Sequence, residues 1–380
     1  MNYSDRVTQI EPSATVAVGN LAAELQADGV DVADFSVGEP DFGTPRNIVK
    51  AGQEAMGNHH TGYTPSKGIP QLRKSIAQKL DRDGVTHDPE EIIVTPGAKQ
   101  ALFETVQSLV DPGDEVVLIE PAWVSYRPMI SMTGGRVTAV DTQPYDFQLE
   151  PALDDLAGAV DDDTELLVVN SPSNPTGSVY SDSALKGVRD IAVDHDVTVL
   201  SDEIYQEITY DVDPTSPAAL DGMADRTVTV NGFSKAYAMT GWRLGYLAAP
   251  QGLVTQASKV HTHSVTCAAN FVQHAGIEAL EHSDEEVSGM VETFRERRDL
   301  LVRLLEENGT AVERPDGAFY LMVPVADDDQ SWCESALEKA HVATVPGSAF
   351  GAPGYARFSY TCSKDRISEA IDRLVENGLL

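Results

Sequence analysis

Seven short apolar stretches alternate with amphipathic segments along most of this chain, and no other feature restricts its possible folds as strongly. Most stretches are rich in Val, Ile, Leu or Thr and are followed by Gly, Pro, Asn or Asp, as buried strands are. They lie near Ile92, Val116, Val137, Leu166, Val197, Val228 and Gly245. Strands that alternate with helices form a doubly wound, mostly parallel sheet with helices on its faces. The sequence therefore predicts a large α/β domain over residues 47–281.

The rest of the chain predicts a second, smaller domain. With 380 residues, the chain is longer than a single hydrophobic core usually serves. Residues 283–309, SDEEVSGMVETFRERRDLLVRLLEENG, have the spacing of a long amphipathic helix that would lead into this domain. We therefore place the small C-terminal domain at residues 282–380 and treat residues 1–46 as an N-terminal segment.

Polar residues that can do chemistry follow several of these strands. Lys235 follows a strand exit among small and apolar neighbours, with Arg243 downstream. Desolvation and a nearby cation would both lower the pKa of this amine, and a neutral amine is a nucleophile towards aldehydes. Asp202 ends the apolar run VTVLSD, where a carboxylate is costly unless a cation pairs with it. Taken singly, these residues have ordinary explanations, a solvated lysine and a helix N-cap.

Two further positions suggest a site for anions, and two others stand beside strand ends. The stretch IIVTPGAKQ places Gly97 and Ala98 at a helix N-terminus, where backbone amides and the helix dipole attract a phosphate. Arg357 is flanked by aromatic residues in a strand-like run, where a carboxylate would be a fitting bidentate partner. Trp123 follows a strand and Asn174 lies between two prolines in VVNSPSNPTG. A common strand-to-helix junction and a core tryptophan are the plain alternatives at two of these positions.

The run SKAYAMTGWRLGY, residues 234–246, resembles the cofactor-lysine motif of fold-type I pyridoxal-phosphate enzymes. Within them it is most similar to class I aminotransferases of the gamma subgroup of aspartate aminotransferases, and similar motifs recur from Ser13 to Tyr360. The resemblance implies a mixed, mostly parallel seven-stranded sheet flanked by helices, beside a smaller α+β domain on which residues 1–46 pack. It also implies pyridoxal 5'-phosphate as cofactor and a homodimer with shared active sites.

The resemblance assigns roles at the cofactor. Lys235 would be the Schiff-base lysine and would form the catalytic set with Asp202 and Tyr205. Asp202 would pair with the pyridine nitrogen, while Tyr205 and Asn174 would hydrogen-bond the phenolic oxygen. Gly97 and Ala98 would form the phosphate turn, and Arg243 would bind the same phosphate. Trp123 would stack on the pyridine ring, and Tyr63 would reach the phosphate of the neighbouring subunit. Gly232 stands where many aminotransferases have a phosphate-binding Ser or Thr, so one contact is in doubt.

The resemblance also assigns the substrate site. Arg357 would bind the α-carboxylate of the amino acid, with Gly38, Asn174 and Trp123 beside it. Lys99 lies in a first helical turn, where the dipole disfavours a cation unless an anion is near. Its implied anion is the distal carboxylate of aspartate or glutamate, although the phosphate is an alternative. The hydroxyls that would share this carboxylate belong to Ser13, Thr15 and Ser264 of the partner subunit.

These assignments predict an aminotransferase that moves the amino group of an amino acid, aspartate first, to a 2-oxo acid, 2-oxoglutarate first, in a ping-pong cycle. Alternatives on the same scaffold are an aminotransferase for prephenate or aromatic amino acids and a C–S lyase. A non-catalytic regulator of this fold would carry an N-terminal DNA-binding domain, whereas only a short segment precedes Gly38.

Charge and cysteine usage exclude other classes of protein. Sixty acidic residues against 27 basic ones give a net charge of −33, which opposes binding to nucleic acid or an anionic membrane. Three widely spaced cysteines predict no disulfide framework, and His261 and His263 lack a third metal ligand, so we expect no metal site. Because the sequence shows no signal peptide and no apolar run that could cross a bilayer, we expect a cytoplasmic protein.

The acidic excess generates the first prediction, which concerns salt. A net charge of −33 repels itself across a compact surface unless ions screen it, as in proteins of salt-loving organisms. We expect the melting temperature and the activity to rise steeply with potassium or sodium chloride, measured by calorimetry and steady-state assay. Full stability and activity in dilute buffer would contradict this interpretation.

Overall fold

The computed structural model of the chain describes residues 1–380. The strands are β1 (Ala33–Asp34), β2 (Ile92–Thr95), β3 (Glu115–Glu120), β4 (Arg136–Asp141), β5 (Thr164–Asn170), β6 (Thr198–Asp202), β7 (Thr227–Gly232), β8 (Gly245–Ala248), β9 (Tyr320–Pro324), β10 (Val342–Ala343), β11 (Val345–Pro346) and β12 (Tyr355–Ser359). The helices are α1 (Asp5–Thr8), α2 (Ala14–Ala27), α3 (Arg46–Gly57), α4 (Pro70–Arg82), α5 (Ala98–Leu109), α6 (Tyr126–Thr133), α7 (Leu153–Ala159), α8 (Asp182–Asp194), α9 (Gln251–Ser264), α10 (Asn270–His282), α11 (Asp284–Glu307), α12 (Asp329–Ala340) and α13 (Lys364–Glu376).

The central element is a seven-stranded sheet with the order β2-β8-β7-β6-β5-β3-β4. Strand β8 is antiparallel to both of its neighbours, and all other pairs are parallel. Every residue of β2, β7 and β8 is buried, as expected for strands covered by helices on both faces. The predicted mixed, mostly parallel sheet is therefore confirmed, with a strand at each of the seven predicted positions.

The register of the sheet brings functional residues to one edge. Asn170 pairs with Asp202 across β5 and β6, and Asp202 pairs with Val230 of β7. Because parallel strands end at the same edge, the carboxyl ends of β5 and β6 and the turn after β7 meet there. This is the edge at which open α/β sheets bind their ligands.

Residues at both ends of the chain form a second layer of structure. Strands β11, β12 and β9 make an antiparallel sheet, and β1 pairs in parallel with β10, which places Ala33 opposite Val342. The helix predicted over residues 283–309 is α11, which contributes Phe294 to the same apolar core as Leu118 of the large sheet. The division at residues 46 and 281 stays a prediction, and the pairing of β1 with β10 supports it.

Helix α2 begins at Ala14 and ends at Ala27, and its N-cap residue, Ser13, makes no capping hydrogen bond through its side chain. The Ser13 hydroxyl lies 3.0 Å from the Thr15 hydroxyl instead. No helix of the structure combines the length and apolar composition needed to cross a membrane.

Candidate active site

A cavity of about 430 Å³ opens at the carboxyl edge of the large sheet. Its wall combines residues of α2, the loop after β1, α5, the turns after β3, β5, β6 and β7, and strands β9 and β12. Eleven of the fourteen predicted site residues line it: Thr15, Gly38, Ala98, Lys99, Trp123, Asn174, Asp202, Tyr205, Lys235, Arg243 and Arg357. Residues separated by more than 300 positions in sequence thus meet in one pocket.

Lys235 lies in the turn after β7 and donates a hydrogen bond from Nζ to the Gly38 carbonyl. Burial lowers the pKa of Lys235 from 10.5 to about 8, and the Arg357 guanidinium adds to the decrease. Glu39 acts in the opposite direction, and Arg243 has the smaller of the two cationic effects. The chain therefore contains a buried amine that loses its proton more readily than an ordinary lysine, as the sequence predicted, although Arg357 is the more influential neighbour.

Asp202 ends β6 and is 3% exposed. The Tyr126 hydroxyl donates to Oδ2 at 2.7 Å, and the Ile204 amide donates to Oδ1 at 3.2 Å. Burial raises the pKa of this carboxyl to about 6, which the two hydrogen bonds partly oppose. The chain after Asp202 forms turns, not a helix, so the N-cap explanation is wrong. No lysine or arginine forms an ion pair with Asp202, so a cation in the cavity would stabilise its charge.

Arg357 lies in β12 and is 2% exposed. Its Nη1 donates to Asn174 Oδ1 at 3.0 Å and its Nη2 donates to the Ser36 carbonyl at 2.7 Å. The guanidinium carbon lies 4.5 Å from the ring centre of Tyr320, and burial lowers its pKa. Its Nε has no hydrogen-bond partner, and no carboxylate of the chain pairs with it. A buried, unpaired guanidinium that lines a cavity is a binding site for an anion.

A second cationic region lies at the N-terminus of α5. Gly97 has φ +87°, and a Cβ at this position would lie 2.6 Å from an Arg243 nitrogen, so only glycine admits the arginine. The Gly97 amide donates to the Thr95 carbonyl at 2.8 Å, whereas the amides of Ala98 and Lys99 have no backbone partner. Ala98 and Lys99 therefore provide free donors for an anion, and the role of the Gly97 amide at a phosphate stays a prediction.

Lys99 lies at the cavity wall beside Trp123, with Nζ 4.7 Å from the tryptophan ring centre. Partial burial lowers the pKa of this lysine, and the Arg243 guanidinium lowers it further. No carboxylate of the chain lies within ion-pair distance of its Nζ. The cavity therefore has a further unpaired cation, besides Arg357, that an anionic ligand would neutralise.

The three other predicted residues do not line the cavity. Gly97 lies directly behind it, and Ser13 is exposed and reaches it only through its contact with Thr15. Tyr63 is 89% exposed, so it is free to meet another molecule. Ser264, expected to act in a partner subunit, donates to the Val260 carbonyl at the end of α9.

The two histidines that drew attention in the sequence differ in environment. His261 is fully buried, and its Nδ1 lies 2.9 Å from Oε1 of the equally buried Glu104. His263 is exposed. His261 therefore joins α9 to α5 through Glu104, whereas His263 faces solvent.

Sequence reasoning missed several residues of the cavity wall. Tyr126 hydrogen-bonds Asp202, and Tyr320 lies 2.8 Å, hydroxyl to hydroxyl, from Tyr205. Tyr320 also lies so close to Gly38 that a Cβ there would approach its hydroxyl to 3.1 Å. The other missed wall residues with polar side chains are Ser36, Glu39, Asn170, Ser234 and Thr240. In the sequence, only its position three residues after Trp123 indicated that Tyr126 belongs to the site. For Ser234, the corresponding indication was its position directly before Lys235.

The fold and the site together define an α/β protein whose cavity holds a lysine with a lowered pKa and two groups of unpaired cations. Known proteins give the family. Residues 30–374 match the family "Aminotransferase class I and II". The chain is 42% identical to the aspartate/prephenate aminotransferase of Thermus thermophilus, over 97% of each chain. It is 40% identical to the aspartate aminotransferase of Thermotoga maritima, over 98% of each.

The structure agrees with this relationship. It matches the solved aspartate aminotransferase from Thermus thermophilus with maleate at a TM-score of 0.96 and 41% identity, over 99% of this chain and 100% of the other. The chain therefore belongs to the class I and II aminotransferases and is an enzyme of that family. The predicted fold type and the predicted transfer of amino groups are both confirmed.

The environment of Lys235 generates a prediction about pH. In the cofactor-free chain, an amine-specific reagent should label Lys235 with a midpoint at pH about 8, because only the neutral amine reacts. Arg357→Met should move the midpoint upwards, since it removes the cation that opposes protonation. Labelling would be quantified by peptide mass spectrometry, with Lys50, whose side chain is 75% exposed, as the reference. A Lys235 that labels in parallel with Lys50 at every pH would contradict the prediction.

Proposed function

We propose that the cavity binds pyridoxal 5'-phosphate and that the enzyme transfers the amino group of aspartate to 2-oxoglutarate. The single observation that carries this proposal is the arrangement of Lys235 between an unpaired buried cation, Arg357, and the cation-rich N-terminus of α5. One anionic region suits the phosphate, the other suits a substrate carboxylate, and the amine lies within the same cavity.

The polar atoms of the cavity fit the cofactor. Ala98 and Lys99 offer free backbone amides to a phosphate, and Arg243 lies beside them. Asn174 uses its Oδ1 and its backbone amide within the protein, which leaves its Nδ2 to donate to the phenolic oxygen. Asp202, which lacks a cation, would hold a protonated pyridine nitrogen. Trp123 would stack on the ring, with Tyr205 near the phenolic oxygen.

When bound, pyridoxal phosphate supplies a carbonyl carbon that takes up the amino group and a ring that accepts the electrons released at the substrate's Cα. Arg357 would bind the α-carboxylate and so fix the orientation of Cα. Lys235, as an amine displaced from the cofactor by the substrate, would take the proton from the substrate's Cα and deliver it to the carbonyl-derived carbon of the cofactor. This task suits an amine with a pKa of about 8. The Tyr126 hydroxyl keeps Asp202 oriented towards the cavity.

Two observations support a dicarboxylic substrate. Lys99 lies on the cavity wall with no carboxylate partner, apart from Arg357. The Thermus thermophilus relative is named for aspartate, and its solved structure contains maleate, which is a dicarboxylate. Aspartate with 2-oxoglutarate is therefore our first choice of substrates, with Thr15 and Ser13 as further contacts to the distal carboxylate.

Prephenate is a second candidate substrate, because the same relative is named for it as well. Trp123 offers an aromatic surface beside Lys99. A panel of amino donors against 2-oxoglutarate, oxaloacetate and prephenate, read by the keto acid formed, separates the candidates. Release of sulfide or pyruvate without an acceptor would favour a C–S lyase instead.

We further propose a cytoplasmic homodimer that is adapted to high salt. Exposed apolar side chains, Met1, Tyr3, Val7, Val16 and Tyr63, would be covered by a second copy. In such a dimer Tyr63 would reach the phosphate of the partner subunit, as the family resemblance implies. The amino acid and the 2-oxo acid would be its other partners.

The assignment of Lys235 predicts a spectroscopic result. With pyridoxal phosphate, the parent chain should show the visible absorption of a cofactor bound to a lysine, and Lys235→Ala should lose that band. Borohydride trapping and peptide mass spectrometry would locate the attachment, with Lys67→Ala as a matched control outside the cavity. Cofactor attached to another lysine in the parent chain would remove the basis of the proposal.

The assignment of Lys99 predicts a change in specificity. Charge-assisted bonds to a buried carboxylate contribute about 1.5 to 3 kcal/mol each. Lys99→Ala should therefore lower kcat/KM for aspartate by roughly tenfold to over a hundredfold. Alanine, which has no distal carboxylate, should lose far less.

A control distinguishes the two possible anions of Lys99. If the lysine serves the phosphate, Lys99→Ala would lower kcat/KM for aspartate and alanine equally and would weaken the binding of pyridoxal phosphate, measured by equilibrium titration. That pair of results would contradict the dicarboxylate proposal but would not contradict the proposed aminotransferase function.

A further inference from the structure

The loop formed by residues 36–44 lines the cavity with its first four residues and carries backbone acceptors for Lys235 and Arg357. The Ser36 carbonyl accepts from Arg357 Nη2 at 2.7 Å. The Gly38 carbonyl accepts from Lys235 Nζ. The position of this loop therefore decides whether the two cations keep their hydrogen bonds.

An ion pair outside the cavity attaches the middle of this loop to α11. Arg297 donates from Nη1 and Nη2 to the two carboxylate oxygens of Asp41, at 2.6 and 2.9 Å. Arg297 is 7% exposed, and its guanidinium carbon lies 5.1 Å from the ring centre of Phe42 and 5.7 Å from that of Phe294. A two-point bond together with stacking fixes both distance and direction, which a lysine cannot do.

Aromatic contacts continue from this ion pair to the catalytic lysine. Phe42 packs edge-on against Phe294, with ring centres 5.3 Å apart, and Phe294 lies 5.2 Å from Phe319. Lys235 Nζ lies 5.8 Å from the centre of the Phe319 ring. The ion pair is thus joined to Lys235 by two routes, the backbone of the loop and a row of packed rings.

We propose that Asp41 and Arg297 are positioning residues of the aminotransferase reaction, because their ion pair keeps the Gly38 carbonyl in place over Lys235. Neither residue lines the cavity, so neither contacts the substrate or the cofactor. Without the pair, the loop is free to move outwards and water reaches Lys235. The inference rests on the proposed role of Lys235.

Two variants break the pair in different ways. Arg297→Lys keeps the charge but loses the two-point geometry, and Asp41→Asn keeps the size but loses the charge. Arg298→Met is the matched control, because Arg298 is the next residue of α11 and is 1% exposed. Its partners are Asp299, Asp211 and the Pro315 carbonyl, none of which belongs to the loop.

The first measurement needs no cofactor. Labelling of Lys235 against pH in the cofactor-free chain should shift its midpoint upwards in both loop variants, because burial is the largest cause of its lowered pKa. The charged groups that face Lys235 are present in all variants, namely Arg357, Glu39, Arg243 and Asp202. Arg298→Met should lower the melting temperature and leave the midpoint unchanged.

The second measurement uses the loaded enzyme. In both loop variants kcat should fall by roughly tenfold to a hundredfold, the usual effect of misplacing a catalytic group by about an ångström. If Arg297→Lys does not fold, Asp41→Asn decides, because the Asp41 side chain is 33% exposed and its replacement is mild.

Two results would overturn the proposal. The loop variants could lose stability as Arg298→Met does and still keep the parent's labelling midpoint for Lys235 and its kcat. That result would show that the ion pair serves only the fold. A parent chain in which Lys235 carries no cofactor would overturn the proposed function, and this inference with it, before any variant is made. The labelling experiment and the spectrum therefore separate the two failures.

Discussion

Lys235 and Arg357 are two cations that share one buried cavity, and neither forms an ion pair with a carboxylate of the chain. Burial of such charges is costly unless hydrogen bonds or counter-charges compensate for the lost water. The chain supplies neutral oxygens, the carbonyls of Ser36 and Gly38 and the Asn174 amide, which satisfy part of the bonding capacity without neutralising the charge. The rest of the site follows from this deficit, because a cavity that holds unneutralised cations selects anionic ligands.

Strands β7 and β8 and the start of α5 pack closely around Gly232, where many aminotransferases have a phosphate-binding Ser or Thr. A Cβ at Gly245 would lie 2.4 Å from the Ala98 amide nitrogen, and one at Gly232 would lie 3.1 Å from both Gly245 Cα and the Leu244 carbonyl. Strand β7, strand β8 and the start of α5 therefore pack closely, with no room for a side chain at position 245 and little at position 232. The chain therefore has no hydroxyl at position 232, where many aminotransferases have one, and Ser234 contributes a hydroxyl to the cavity wall instead.

Local periodicity was enough to predict the seven strands of the large sheet and the long helix α11, because each depends on burial of its own apolar face. The resemblance to a family identified the residues of the cavity, whose meeting depends on pairing across long distances, as between β1 and β10. Two kinds of information were out of reach. The hydrogen bond from the Gly97 amide to the Thr95 carbonyl belongs to a turn whose geometry the residue types do not dictate, and Tyr126 and Tyr320 reach the cavity only through tertiary packing.

The charge of the chain acts on two length scales. A net charge of −33 repels an approaching dicarboxylate over long distances, whereas Lys99, Arg243, Lys235 and Arg357 attract it only within the cavity. Mobile ions shorten the range of the surface field, to about 3 Å at 1 M salt, but they screen buried pairs much less. High salt would thus remove most of the repulsion between the surface and an anionic ligand while leaving most of the attraction that the buried Arg357 exerts. An acidic exterior and a cationic cavity are compatible in one enzyme because Arg357 is buried, whereas the surface carboxylates are open to solvent ions; Lys99 and Arg243 are exposed and are screened with the surface.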